Sequence, residues 1–135
     1  MSKSVISILE GKPYIQVRRS FVDDFEKSLE NMNGEQTLAL YRKIKIEQPD
    51  QYSFDGEKTL NQVGYFFLNN NKVADAITVF TFNTKLFPNS GNMFDSLAEA
   101  YYVQGNKGEA LANYTIAFKL DPSLESAKKM IQELK

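Results

Sequence analysis

The sequence has no cysteine, no histidine and no tryptophan. Without cysteine there are no disulfides, no thiolate nucleophile and no Cys-based zinc site. Without histidine the usual general base and the commonest metal ligand are gone. Charge of one sign is missing too: 16 Lys and Arg face 17 Asp and Glu, a net charge of −1. So balanced a chain gives no electrostatic reason to expect nucleic acid or an anionic membrane as partner. Four Pro and seven Gly are too few for a low-complexity linker. Long apolar runs are absent as well. The run Val5, Ile6, Ser7, Ile8, Leu9 stops at Glu10, shorter than a signal-peptide core or a membrane span, which makes the cytoplasm the default expectation. What is present is 42% hydrophobic residues, enough to drive folding. The 135 residues suit one domain or a few small repeats. A chain of that size buries roughly two thirds of its unfolded surface without covalent staples.

Periodicity carries the most information. Pro88 and Pro122 lie 34 residues apart, as do Ala76 and Ala110, Phe80 and Tyr114, Phe67 and Tyr101, and Leu60 and Phe94. Gly64 pairs with Ala98 and Val63 with Leu97 at the same offset. Large residues recur with large, small with small. With units 57–90 and 91–124, bulky apolar residues fall at unit positions 4, 7, 11 and 24, small ones at 8 and 20, and Pro at 32. Positions 4, 7, 8 and 11 form one stripe at helical spacing. The small residues let two helices approach closely. A weaker upstream copy, about 18–51, places Phe21 at position 4, Thr37 at 20, Leu38 at 21, Tyr41 at 24, Ile44 at 27 and Pro49 at 32. Its positions 7 and 11 are Asp24 and Ser28, so Phe25 and Leu29 are expected to take the core role by a one-residue shift. Tyr52 to Gly56 are inserted before the next unit. Ser20, Asp55 and Ser90 or Asn92 are candidate N-caps. Asn33-Gly34 and Gln104-Gly105-Asn106 supply turns, and Pro49, Pro88 and Pro122 mark the ends of second helices. Residues 125–135 read as an end helix with Ala127, Met130, Ile131 and Leu134 on one face and Lys128, Lys129, Gln132 and Glu133 on the other.

This pattern resembles the tetratricopeptide repeat, a 34-residue helical hairpin. Phe94, Leu97, Ala98, Tyr101, Ala110, Tyr114, Ala117 and Pro122 match its signature, and Leu60, Val63, Gly64, Phe67, Ala76, Phe80 and Pro88 match with Asn83 as the departure at position 27. The fold implied is all-α: an α-α superhelix of about three hairpins plus a C-terminal capping helix, behind an N-terminal arm over 1–17. A longer block, including Tyr52-Ser53-Phe54, Phe87-Pro88 and Asp95-Ser96-Leu97-Ala98-Glu99-Ala100-Tyr101, with Gly11-Lys12-Pro13-Tyr14 upstream, resembles the repeat tail of bacterial serine hydrolases of the beta-lactamase-like and alpha/beta-esterase-like kinds. The hydrolase domain itself is not in this sequence.

No catalytic constellation stands out. Ser126-Ala127-Lys128-Lys129 spells Ser-x-x-Lys, but it falls on the end helix, and an exposed helical stretch is the expected role. Ser96-Leu97-Ala98-Glu99 reads as an ordinary helical turn. The sequon Asn113-Tyr114-Thr115 sits mid-helix and carries no argument. Asn83 is the notable polar residue, expected to be a buried structural amide tied to the loop at 90–92. The carboxylates show no metal-ligand spacing, and no cofactor is expected. In repeats of this kind the first helices line an inner groove, and the resemblance assigns it unit positions 2, 5, 9, 12 and 13. These are Lys58, Asn61, Tyr65, Leu68 and Asn69, then Asn92, Asp95, Glu99, Tyr102 and Val103. Upstream they are Arg19, Val22, Glu26, Leu29 and Glu30. Such a set suits an extended or helical peptide, whereas Asp95 and Glu99 oppose a terminal carboxylate. Tyr65 and Tyr102 are expected to be partly exposed, Phe67 and Tyr101 to belong to the core. Two functional readings follow. One is a non-catalytic protein- or peptide-binding module. The other is a structural appendage or oligomerisation tail that packs on a hydrolase domain or on a second copy, with the arm at 5–15 as the discriminating segment.

Overall fold

In the computed structural model, residues 19–52, 54 and 57–135 are described. They form seven helices. These are α1 (Phe21–Leu29), α2 (Gly34–Glu47), α3 (Glu57–Asn69), α4 (Val73–Leu86), α5 (Gly91–Gln104), α6 (Lys107–Leu120) and α7 (Glu125–Leu134). The architecture is all-α, and the described residues contain no strand. An isolated parallel bridge joins Arg19 to Tyr52. The arm at 1–17 and the candidate cap Asp55 lie outside the described residues.

Local chemistry sets the helix ends. Ser20 caps α1 by accepting from the Asp23 amide, and Asn33 and Gln36 close a reciprocal capping box at the start of α2. Asp75 of α4 adds a third bond there, accepting from the Gly34 amide at 2.9 Å. Gly105 ends α5 in the left-handed region, φ 92°, where a side chain would be strained. Asn106 then caps α6. Ser90 occupies the N-cap of α5 without a side-chain bond, and Asn92 lies inside that helix. The turn is instead closed by backbone, the Met93 amide donating to the Ser90 carbonyl. Helices α2, α4 and α6 end two residues before Pro49, Pro88 and Pro122.

The 34-residue pattern becomes two core clusters. Leu60, Val63, Phe67, Ala76, Val79, Phe80 and Leu97 belong to the first, with Phe21, Leu29 and Tyr41. Ala98, Ala110, Tyr114, Ala117 and Ala127 form the second. Tyr101 packs against both. Close approach depends on the small residues. A Cβ on Gly64 would fall 2.2 Å from Cε1 of Phe80, so the ring of α4 lies directly on the α3 backbone. Ala127 of α7 is fully buried, while Met130, Ile131 and Leu134 are half-buried against the second cluster.

The first pair is built differently. Position 8 carries Phe25 there, not a small residue, and α1 and α2 do not approach backbone to backbone as the later pairs do. Rings fill the gap. Phe21 meets Phe25, Tyr41 and Tyr52 with centroids 4.9, 5.7 and 6.3 Å away, and Phe54 meets Tyr41 at 5.5 Å. The inserted Tyr52 and Phe54 thus complete a core that the two helices alone leave open. The one-residue shift is observed: Phe21 and Leu29 are buried and Phe25 is half-buried. Asp24 turns outward and pairs with Arg19 at 2.8 Å.

Candidate functional site

Helices α3 and α5 pack side by side, and the start of α7 is bonded to α5. Three side-chain bonds bridge their shared face. The Ser96 hydroxyl donates to Asn61 Oδ1 at 2.7 Å. The Tyr65 hydroxyl donates to Glu99 Oε1 at 2.7 Å. The Ser126 hydroxyl sits 3.2 Å from both carboxylate oxygens of Asp95. All link residues roughly one repeat apart, as expected where successive first helices stack in parallel register.

The sequence-derived residues do not all gather there. Asn61, Tyr65, Asp95 and Glu99 are joined through these bonds, and Tyr102 stands beside them, 43% exposed. Val103 is more exposed still, at 53%. Leu68 is half-buried against the first core cluster. Lys58 and Asn69 are exposed and have no side-chain bond among the described residues. Asn92 is exposed and lines a cavity of about 580 Å³ at the α4–α5 turn with Glu57, Leu86 and Leu120. Tyr65, Asp95, Glu99 and Tyr102 are not part of that cavity. Upstream, Val22 is half-buried, Glu26 and Glu30 are exposed, and Arg19 is held by Asp24 and Tyr52. Leu29 is a correction: it is fully buried in the core and lines no groove, because α1 turns its Phe21, Phe25, Leu29 stripe inward. Tyr65 is half-buried as well as bonded, its ring edge-on to Phe80 at 5.1 Å.

Three residues of the site were not assigned to it from sequence. Ser96 reads as part of an ordinary helical turn, and its hydroxyl bonds across to Asn61. Ser126 reads as an exposed position of the end helix, and its bond to Asp95 is tertiary. Tyr114 reads as core, and it is only 4% exposed. Its hydroxyl nevertheless lies in the electrostatic field of Asp95, Glu99, Tyr65 and Tyr102. A signal was present: the equivalent residue of the preceding unit is Phe80, so Tyr114 adds a hydroxyl to an otherwise apolar position.

The electrostatics follow from burial. Burial raises the Asp95 carboxyl above its ordinary value, the Glu99 charge adds to this, and the Ser126 bond opposes it. The Tyr65 and Tyr114 hydroxyls are also pushed up, chiefly by burial, with the neighbouring carboxylates contributing. Both hydroxyls therefore stay neutral at neutral pH. Neither Asp95 nor Glu99 has a Lys or Arg partner among the described residues.

Elsewhere, Asn83 is fully buried. Its Nδ2 donates to the Glu57 carbonyl at 2.9 Å and faces Met93 Sδ, so it ties α4 to the starts of α3 and α5. Its Oδ1 is buried without a partner among the described residues. The Ser-x-x-Lys serine, Ser126, is exposed and bonded to Asp95, not to a lysine. No group of His, Cys, Asp and Glu suited to a metal ion occurs among the described residues. No helix among them is long and apolar enough to cross a membrane. No family model matches the sequence, and no curated protein matches it.

Proposed function

We propose that the protein is a non-catalytic module that captures a protein or peptide on the face shared by α3, α5 and α7. The observation that carries the reading is the arrangement on that face. Side chains bridged from helix to helix are followed one turn further along α5 by the exposed Tyr102 and Val103. Bonds made before the ligand arrives reduce the ordering cost of binding. Tyrosine adds a broad apolar surface and a hydroxyl at little entropic cost. The tetratricopeptide-like spacing of the sequence supports the same reading, since the first helices of such repeats line the binding groove.

The test is capture by the purified chain followed by loss in Tyr102→Ala/Val103→Ser. Both side chains are exposed, so helicity and cooperative unfolding should be unchanged while retention of the captured protein is lost. Equal retention by the variant would remove this face from consideration.

A second reading has its own observation. Leu86 and Leu120, which end α4 and α6 one repeat apart, are 45% and 38% exposed, and Ile46 near the end of α2 is 80% exposed. Apolar residues recurring at helix ends suit packing against another domain or another copy. Sedimentation of wild type beside Leu86→Ser/Leu120→Ser distinguishes the readings. A larger species that dissociates in the variant favours an appendage or oligomerisation role.

A further inference from the structure

Asn33 is followed by Gly34, and no other asparagine of the chain precedes a glycine. With no Cβ to shield it, the Gly34 nitrogen has free access to the neighbouring side-chain amide. A spontaneous reaction is open to such a pair. The Gly34 nitrogen, its proton lost to solvent base, attacks Cγ of Asn33. The new N–Cγ bond replaces the Cγ–Nδ2 bond, and Nδ2 takes up a proton and leaves as ammonia. Water then opens the cyclic imide at either carbonyl, giving aspartate or isoaspartate, with no change of oxidation state. The glycine cannot readily be exchanged for a safer residue. A Cβ on it would fall 2.9 Å from the Asp75 carbonyl oxygen and from Thr78 Cβ, so the packing of α2 on α4 keeps glycine here.

The fold holds the reacting groups apart. Asn33 Oδ1 accepts from the Gln36 amide at 2.8 Å, which turns Cγ toward the helix. The Asn33 amide donates to Gln36 Oε1 at 2.9 Å. The attacking nitrogen itself is engaged, since the Gly34 amide donates to Asp75 Oδ1 at 2.9 Å. The preceding turn is fastened to the same helix end, with the Lys72 ammonium donating to the Glu30 carbonyl at 2.6 Å. Backbone at Asn33 is extended, ψ 179°, and ring closure needs ψ turned well away from that value. Asn33 is nevertheless exposed, so base and water reach it whenever these bonds release.

We infer that Asn33–Gly34 is a spontaneous deamidation site kept closed by the Asp75 bond, and that the chain reacts there when α2 lifts from α4. The inference is independent of the capture function. Its products do not restore the junction. Aspartate still caps a helix, but its charge stands beside the Asp75 carboxylate. Isoaspartate adds a carbon to the backbone between the cap and Gly34, so the reciprocal bonds with Gln36 lose their register. Opening of the junction between the first two helix pairs is thereby recorded irreversibly.

The experiment incubates the full chain at mildly alkaline pH, folded and in urea. Asn33 is followed by peptide mapping with mass detection, and isoaspartate by enzymatic methylation. Deamidation should be about tenfold or more slower in the folded chain, as for a group that reacts only after local opening. Asp75→Ala, which removes the acceptor, should speed the folded-state reaction severalfold. Asp75→Asn, which keeps an oxygen in its place, should stay near wild type. Ala110→Leu strains the distant α5–α6 pair and should leave the Asn33 rate unchanged, which separates local from global opening. Circular dichroism checks that each variant is folded, and the comparison of folded with urea-unfolded wild type needs no variant. The isoaspartate fraction, separated by ion exchange, should melt below the unmodified chain. Equal rates in folded and unfolded chain would overturn the inference. So would a rate in Asp75→Ala no faster than wild type, or the same acceleration in Asp75→Asn or Ala110→Leu. An unchanged melt of the isoaspartate fraction would overturn the irreversible record.

Discussion

Gly64→Ala puts a single methyl group where two helices meet. The new Cβ would lie 2.2 Å from Cε1 of Phe80 and 2.6 Å from its Cδ1 and Cζ. Carbon atoms in ordinary contact stand 3.4 Å apart or more. The ring has to retreat by roughly 1 Å, and in a close-packed interior that displacement passes to its neighbours. Phe80 has nowhere free to go, being fully buried and edge-on to Tyr65. Overpacking of this kind costs about 1–3 kcal/mol, and a severe clash belongs at the upper end. Against it stands the gain of about 0.5–1 kcal/mol for replacing Gly by Ala in a helix. The net expectation is a loss of about 2 kcal/mol. With a urea slope of about 1–3 kcal/mol/M for a small protein, the midpoint should fall by on the order of 1 M. Phe80→Leu tests the cause. Made alone it should destabilise, since it empties part of the core. Combined with Gly64→Ala it should cost less than the two losses added, by about 1 kcal/mol of coupling. A Gly64→Ala protein as stable as wild type, or a strictly additive double variant, would refute the argument. The next unit is the internal control: Ala98 carries a Cβ at the same position and is fully buried, so contact with that backbone is tolerable when the facing ring is placed for it.

Three other outcomes are expected. Asn83→Ala should lower stability by about 1–3 kcal/mol in urea unfolding, because the Glu57 carbonyl loses its donor; a gain would mean that the unpartnered Oδ1 outweighs the bond. Asp95→Asn should stabilise the protein at pH 7. The folded carboxyl is raised above its unfolded value, so stability declines as pH rises from the unfolded value, about 3.9, through the folded one, and stays low above it. The gain over wild type should vanish in acid below the unfolded value, and a variant less stable than wild type at neutral pH would contradict the assignment. Ala110→Leu should cost about 1–3 kcal/mol by overpacking, because Ala110 is fully buried between helices; an unchanged midpoint would contradict that contact.

The two later helix pairs were legible from sequence because their apolar positions repeat without interruption. Leu60, Val63 and Phe67 answer Phe94, Leu97 and Tyr101 one by one, and small residues mark where the helices touch. The first pair was legible only in part. Asp24 and Ser28 break the stripe, and nothing local announces that Tyr52 and Phe54, beyond the second helix, complete its core. Of the candidate site, Tyr102 and Val103 were named through the repeat resemblance, and both are exposed. The bonds from Tyr65 to Glu99, Ser96 to Asn61 and Ser126 to Asp95 could not be read, since polar side chains meeting between helices leave no periodic trace. Tyr114 was hidden for the opposite reason: its ring obeys the core pattern, and only its oxygen departs from it.

The aromatic wedge of the first pair has a dynamic consequence. In an array whose units touch only their neighbours, each unit opens with its own free energy plus that of its interfaces. The pairs α3–α4 and α5–α6 share close backbone contact on both sides. Helix α1, nine residues long, is held by Phe21, Phe25 and Leu29 against rings and by the Lys72 ammonium bonded to the Glu30 carbonyl. Amide exchange should therefore be graded along the chain, fastest in α1 and slowest where α4 meets α5, with α1 released as a cooperative segment while the rest stays folded. The aromatic cluster that completes the core at this end thus also sets where the array comes apart first.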